Sequence, residues 1–274
     1  MSAALSGVVD IPESDYHRHR SLSYSGAKLL LPPNTPALYR YRMDNPIHKD
    51  VWDFGHAVHA ELLGKGQPIR YISEKSWQTN VAKAEKAKAH AADEIPLLDK
   101  DRGVIEGMVA AVRAHPLAHR LFEEGEPEKS IFWQDADTGI GMRSRLDWTT
   151  TRGSRVYCVD YKTSTTANPA RFGKIAADFG YFIQDVFYRD GMVNVGMHED
   201  PAFLFAIQEK TPPYLVSVIE LDEEARAVGY QQMRQAIAIY ERCVIENDWP
   251  GYSPGVSTAS LPYWFIKQLE DATA

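Results

Sequence analysis

The sequence predicts an α/β or α+β domain: one sheet, a helical N-terminal half packed on it, and a long C-terminal helix. Three observations carry this. Helical patterns fill most of residues 1–128, strand-like runs begin near Lys129, and no linker divides the chain. The runs at 130–134, 140–150 and 155–162 are separated by turn-rich breaks at 135–139 and 151–154. Breaks that short favour an antiparallel meander, since parallel neighbours need a longer crossover. At 274 residues the chain can bury a substantial core without disulfides. We expect a single domain over 1–274, with 129–221 carrying the sheet and a helix behind it, and 222–274 a C-terminal helix and tail.

Each element has its own signal. Residues 21–43 give two short helices, the first capped by Ser25 and the second by Thr35 with Pro36 at its first position. The next helix runs over 53–63, capped by Asp53 and stopped by Gly64. An Ala-, Lys- and Glu-rich stretch at 81–94 predicts a solvated helix. Residues 100–122 predict one amphipathic helix, with Val104, Met108, Ala111 and Val112 near helical spacing. After the meander, Asn168-Pro169 opens a helix to about Tyr188 or Arg189. Strands at 202–208 and 214–221 follow, and Asp222 caps a helix through about Ile245. The tail after Trp249 is expected to be irregular, with its aromatics docked.

Composition narrows the function classes. Lys and Arg number 30 against 37 Asp and Glu, a net charge of −7, which excludes a protein that coats nucleic acid by bulk charge. A local basic groove, or acidic ligands offset by metal ions, stays compatible. Cys158 and Cys243 are the only cysteines, too few for a four-thiolate zinc site or an iron–sulfur cluster in one chain. So few thiols suit a reducing cytosol, and we expect a cytoplasmic protein. The start, MSAALSGVVDIPESD, lacks the basic-then-apolar order of a signal peptide, and no run of roughly 18 apolar residues predicts a membrane span.

The chemistry concentrates in Val156-Tyr157-Cys158-Val159-Asp160-Tyr161-Lys162. A β-prone, largely apolar run ends in an acid and a base two positions apart, which strand periodicity puts on one face. Burying both ions costs several kcal/mol per ion unless something compensates. A divalent metal on Asp160 is one such compensation, and Lys162 could then hold an attacking water or stabilise a transferring phosphoryl group. Asp147, 13 residues upstream across a turn, supplies a second carboxylate. Period two places Arg143, Arg145 and Asp147 on one face and Met142, Leu146 and Trp148 on the other. Mg²⁺ typically takes one or two carboxylates and keeps other positions for water or substrate oxygens. Taken singly, Asp-x-Lys is also the pattern of a salt-bridged strand edge.

Two further pieces complete the set. Gly55-His56-Ala57-Val58-His59 lies on the helix that starts near Asp53, and it lacks the glutamate of a His-Glu-x-x-His protease. Gln184 and Tyr188 are four apart and share a helix face. In order, Gly55…His59, Asp147, Asp160-Tyr161-Lys162 and Gln184…Tyr188 resemble the RecB-like branch of the PD-(D/E)xK nucleases. The stretches SYSGAKLLL, WDFGHAVHAELL, GMRSRLDW, VDYKTSTTANPARF, GYFIQDVFYRDGM and QEKTPPY are similar to the nuclease module of RecE-type (exodeoxyribonuclease VIII-like) enzymes of phages and prophages. The likeness spans roughly Ser23 to Tyr214. It omits the long N-terminal extension of bacterial RecE, and the missing cysteines exclude the iron–sulfur subgroup.

The resemblance implies a restriction-endonuclease-like core, a mixed sheet flanked by helices. It implies Mg²⁺ or Mn²⁺ held by His59, Asp147 and Asp160, with the Tyr161 carbonyl and Glu128 as further ligands. It assigns Lys162 to catalysis, and Gln184 and Tyr188 to the active-site helix that meets DNA. It also implies exonucleolytic digestion of linear duplex DNA from 5′ ends, leaving 3′ single strands for phage-type recombination. A tetrameric ring and a single-strand annealing recombinase as partner come with it. The same residues would serve a nicking or structure-specific endonuclease, and a third option is a DNA-end-binding module without turnover. Arg40, Arg42, Lys83, Lys86, Lys88, Arg143, Arg145, Arg171 and Lys174 are candidate phosphate contacts. Arg143 and Arg145 are preferred by their parity with Asp147, and the 83–88 group also fits a plain solvated helix face.

Overall fold

The computed structural model describes residues 5–46 and 51–273. In chain order the elements begin with β1 (Gly7–Val9), α1 (Glu13–Arg18), β2 (Leu22–Ser23), α2 (Tyr24–Leu30), α3 (Pro36–Asp44) and α4 (Val51–Leu63). β3 (Ile69–Ile72), α5 (Asn80–Ala91), β4 (Ile95–Leu98), α6 (Arg102–Ala114) and α7 (Pro116–Glu123) follow. The second half holds β5 (Glu126–Gln134), β6 (Gly141–Arg152), β7 (Arg155–Ser164), α8 (Pro169–Phe179), α9 (Tyr181–Asn194), β8 (Ala202–Glu209), β9 (Val216–Ile219), α10 (Glu223–Glu246) and α11 (Tyr263–Thr273). Among the described residues, no helix is long and apolar enough to cross a membrane.

The main sheet has the order β1-β5-β6-β7-β8-β9, with β2 also paired to β6. β5, β6 and β7 form the expected antiparallel meander. β7 and β8 are parallel, bridged by α8 and α9, and β9 returns antiparallel. The sheet is therefore mixed and flanked by helices. One core packs α2, α9 and α10 against Ile131, Met142, Leu146, Cys158, Phe203 and Phe205. The other packs α4, α6 and α7 against Trp148, Val159, Tyr161 and Leu204.

Several boundaries differ from the sequence expectation. Ser23, not Ser25, caps α2, accepting from the Gly26 N–H at 3.3 Å, whereas Thr35 caps α3 as expected. α4 starts two residues early, so Asp53 is a buried residue of its first turn, 3.2 Å from His90 Nε2. The helix expected over 100–122 breaks at Pro116, which has no N–H to continue it, and His115 caps α7 through Nδ1. The helix expected to reach Tyr188 breaks at Gly180, whose φ of +71° ends α8. β1, α1, β2 and the parallel β3–β4 pair carry no strong sequence period and were not expected. Trp249 does dock, stacked on Tyr39 at 5.5 Å. The tail beyond it does not: Tyr252 is 83% exposed and Trp264 63%, and its last stretch is helical, not irregular.

Candidate active site

The β6–β7 ladder runs from the hairpin only as far as Trp148 opposite Val159. Asp147 and Asp160 come one residue further, where the strands part. There the Tyr161 N–H donates to Asp147 Oδ2 at 3.2 Å instead of to a strand carbonyl. Asp160 is fully buried. Its Oδ1 accepts from Gln184 Nε2 at 2.6 Å, and its Oδ2 lies 2.5 Å from Lys162 Nζ. His59 reaches in from α4, with Nε2 3.2 Å from Asp147 Oδ2 and Nδ1 3.4 Å from Glu128 Oε1. Arg145 Nε closes the chain of charges at 2.9 Å from Glu128 Oε2.

Asp147 sits at a break in strand parity. Met142 and Leu146 enter the core beneath α9, but Trp148, expected beside them, enters the opposite core. Glu128, inside β5 rather than before it, has a φ of +54°. The β5–β6 ladder passes over it, pairing Pro127 with Trp148 and Lys129 with Leu146. A left-handed glutamate costs roughly 1–2 kcal/mol, and an irregularity of this kind re-aims the side chains around it. Its effect is to put a second carboxylate, beside that of Asp147, against His59.

Crowded charge sets the protonation states. Burial pushes the Asp160 carboxyl up to about 6, against the pull of Lys162. Burial also raises Asp147, but His59, Lys162 and the Tyr161 N–H outweigh it and hold this acid below its ordinary value. Burial opposes protonation of His59, yet Asp147 and Glu128 bring its pKa up to about 8. Lys162 is raised as well: Asp160 and Asp147 overcome the cost of burying its ammonium.

The match to known families follows this geometry. Residues 25–260 match a PDDEXK-like domain of unknown function, DUF3799. The chain belongs to this PDDEXK-like family. Among solved structures, a candidate exonuclease from Eubacterium rectale aligns with a TM-score of 0.62 at 10% identity, covering 94% of this chain and 98% of the other. At that identity the likeness is one of fold. The structure of SSO0001 aligns at a TM-score of 0.30 and 12% identity over 70% of this chain and 87% of the other, too low to bear on the argument. No curated protein matches the sequence.

The other expected residues of the PDDEXK-like domain fall in three places. Gln184 and Tyr188 lie on the face of α9 turned to the sheet, Tyr188 buried with its ring between Tyr24 and Phe203 at 6.5 and 5.4 Å. Arg143 is buried, its guanidinium donating to the carbonyls of His17, His19 and Ser21, so its charge is used inside the protein to fasten the N-terminal segment. Arg145 holds the Ile11 carbonyl at 3.1 Å as well as Glu128. Farther out, Lys86 lies over the Trp77 ring at 4.6 Å, Lys88 pairs with Glu85 and Lys174 with Asp178. Sequence reasoning missed Tyr16, whose ring underlies both Arg143 and Arg145, and Tyr181, 5.4 Å from Lys162 Nζ. Tyr181, three residues before Gln184 on the same helix, could have been found from spacing.

One imidazole and two or three carboxylates are hard or borderline donors suited to Mg²⁺ or Mn²⁺. The buried Gln184 Oε1 has no hydrogen-bond partner, a polar vacancy beside Asp160 of the kind a hydrated cation would satisfy. Among the described residues, no three such groups already surround a common point. His59 and Asp147 clasp each other, as do Asp160 and Lys162, so binding a cation here would exchange these ion pairs for bonds to it.

Proposed function

We propose that this PDDEXK-like protein is a deoxyribonuclease dependent on Mg²⁺ or Mn²⁺, acting as an exonuclease on linear duplex DNA. The observation that carries this reading is the meeting of His59, Asp147, Asp160 and Lys162 from α4, β6 and β7 at the one place where the central strands separate. His59, Asp147 and Asp160 would hold the cation, with the Tyr161 carbonyl and Glu128, 3.4 Å from His59, as further ligands. When bound, the cation supplies Lewis-acid stabilisation of the phosphate oxygens. Lys162, kept charged by its two acids, would set an ammonium against the negative charge that develops on the phosphoryl oxygens. Gln184 fixes the Asp160 carboxylate through a 2.6 Å bond, and Arg145, 2.9 Å from Glu128, adds positive charge to the same cluster. Water adds to phosphorus as one P–O bond breaks, leaving a phosphate on one end and a hydroxyl on the other.

End-dependence rests on the resemblance to RecE-type enzymes and on the fold likeness to a candidate exonuclease. By the same resemblance we infer 5′ to 3′ polarity, 3′ single strands for recombination, a ring-shaped oligomer and a single-strand annealing partner, and from the low thiol count a cytoplasmic location. The test compares linear and covalently closed circular duplex with Mg²⁺ and Mn²⁺. We expect acid-soluble nucleotides from the linear form alone, and a loss on the order of 10³-fold or more in Asp160→Ala. Nicking of the circle would show an endonuclease. No release from the linear form with either ion would favour an end-binding module.

A further inference from the structure

Phe179 is 53% exposed at the junction of α8 and α9, an unusual place for a phenylalanine unless its ring has a use. The backbone that presents it is held firmly. Tyr24 Oη and Lys28 Nζ, both from α2, donate to the Phe179 carbonyl at 3.0 Å each. The next residue, Gly180, turns the chain at a φ of +71°. On one side the Phe179 ring stacks on Tyr181, 5.6 Å between centroids and 19° between planes. Tyr181 in turn stacks on Phe205 at 5.4 Å and lies 5.4 Å from Lys162 Nζ. A half-exposed aromatic ring is thus fixed one ring beyond Tyr181, which lies against the lysine assigned to the scissile phosphate. Lys28, beside it, adds positive charge that a DNA backbone would meet.

We propose that Phe179 is a stacking platform for a nucleobase next to the scissile phosphate, a contact that depends on the nuclease reading above. Aromatic stacking on a base tolerates every sequence, because each base has a π-face, and is worth enough to change binding by roughly tenfold or more. The phosphate held near Lys162 and the base held on Phe179 would together position the strand.

The experiment measures KM and kcat on linear duplexes that are intact or abasic at one of the first three positions of the cut strand. For wild type, one abasic position should raise KM on the order of tenfold. Phe179→Ala should show that higher KM on intact DNA and be indifferent to the same abasic position, with kcat little changed. Phe179→Trp should restore the wild-type pattern, and Phe179→Leu, apolar but without a π-face, should not. An abasic penalty equal in wild type and Phe179→Ala, or a wild-type KM in Phe179→Ala, would overturn the platform while leaving the nuclease reading intact. A wild-type protein inert on intact duplex would overturn both.

Discussion

His59 stands between two carboxylates, Asp147 at 3.2 Å and Glu128 at 3.4 Å, and is held protonated up to about pH 8. An ordinary histidine titrates near 6.5. A group whose pKa is raised by folding contributes stability below its unfolded value, and loses it as pH rises through the folded value. In cation-free protein the stabilisation due to His59 should therefore be complete below about pH 6.5 and gone above about pH 8. A rise of this size corresponds to about 2 kcal/mol. Urea unfolding of wild type and His59→Gln at pH 6 and pH 9 checks this: the gap between them should narrow by about that amount at the higher pH. A gap independent of pH would mean that the imidazole is not charged in the fold. At this scale much was legible in the sequence. Gly55…His59, Asp147, Asp160…Lys162 and Gln184…Tyr188 announce themselves by residue type and spacing. What spacing could not show is the left-handed Glu128, whose partners His59 and Arg145 come from another helix and another strand.

The helix that carries Gln184 is placed by close backbone approaches. A Cβ on Gly229 of α10 would come 2.1 Å from the Phe182 carbonyl of α9, and one on Gly191 of α9 would come 2.8 Å from Ile131 and Trp133 of the sheet. Trp133 Nε1 also donates to Asp190 at 3.0 Å. α9 is thereby pressed between α10 and β5, which fixes the depth at which Gln184 meets Asp160. Gly229→Ala should lower stability by at least the ~1–3 kcal/mol typical of overpacking. It should also reduce kcat more than KM, because displacing α9 moves the Asp160 carboxylate. Denaturation midpoints and steady-state kinetics measure the two effects, and a variant as stable and as active as wild type would refute this placement. The meander, the β8–β9 pair and α10 follow from period and turn residues. The breaks at Pro116 and Gly180 also had their signals in plain view, but strong apolar spacing across them favoured continuous helices. β1, β2, β3 and β4 have two to four residues each, too short to show any period.

At the scale of the whole molecule, two cores lie on opposite faces of one mixed sheet, and the site opens at the gap between β6 and β7 where both can reach it. α4 delivers His59 from one core and α9 delivers Gln184 from the other. The N-terminal segment closes over the Arg143 and Arg145 side through carbonyls that sequence patterns do not mark. Residues 251–268 of the tail are exposed throughout and belong to neither core. A chain ending after Gly251 should match the full chain in stability to within ~0.5 kcal/mol and in nucleotide release. A loss of either would assign the tail a role in the catalytic domain.

The central claim is that His59, Asp147 and Asp160 form one cation-binding centre next to Lys162. Titration of Mn²⁺ followed by the paramagnetic resonance of the free ion tests it without reliance on turnover. Wild type should take up the ion, and Asp147→Asn and Asp160→Asn should each weaken the affinity by on the order of tenfold or more. Wild-type affinity in both variants would contradict the account.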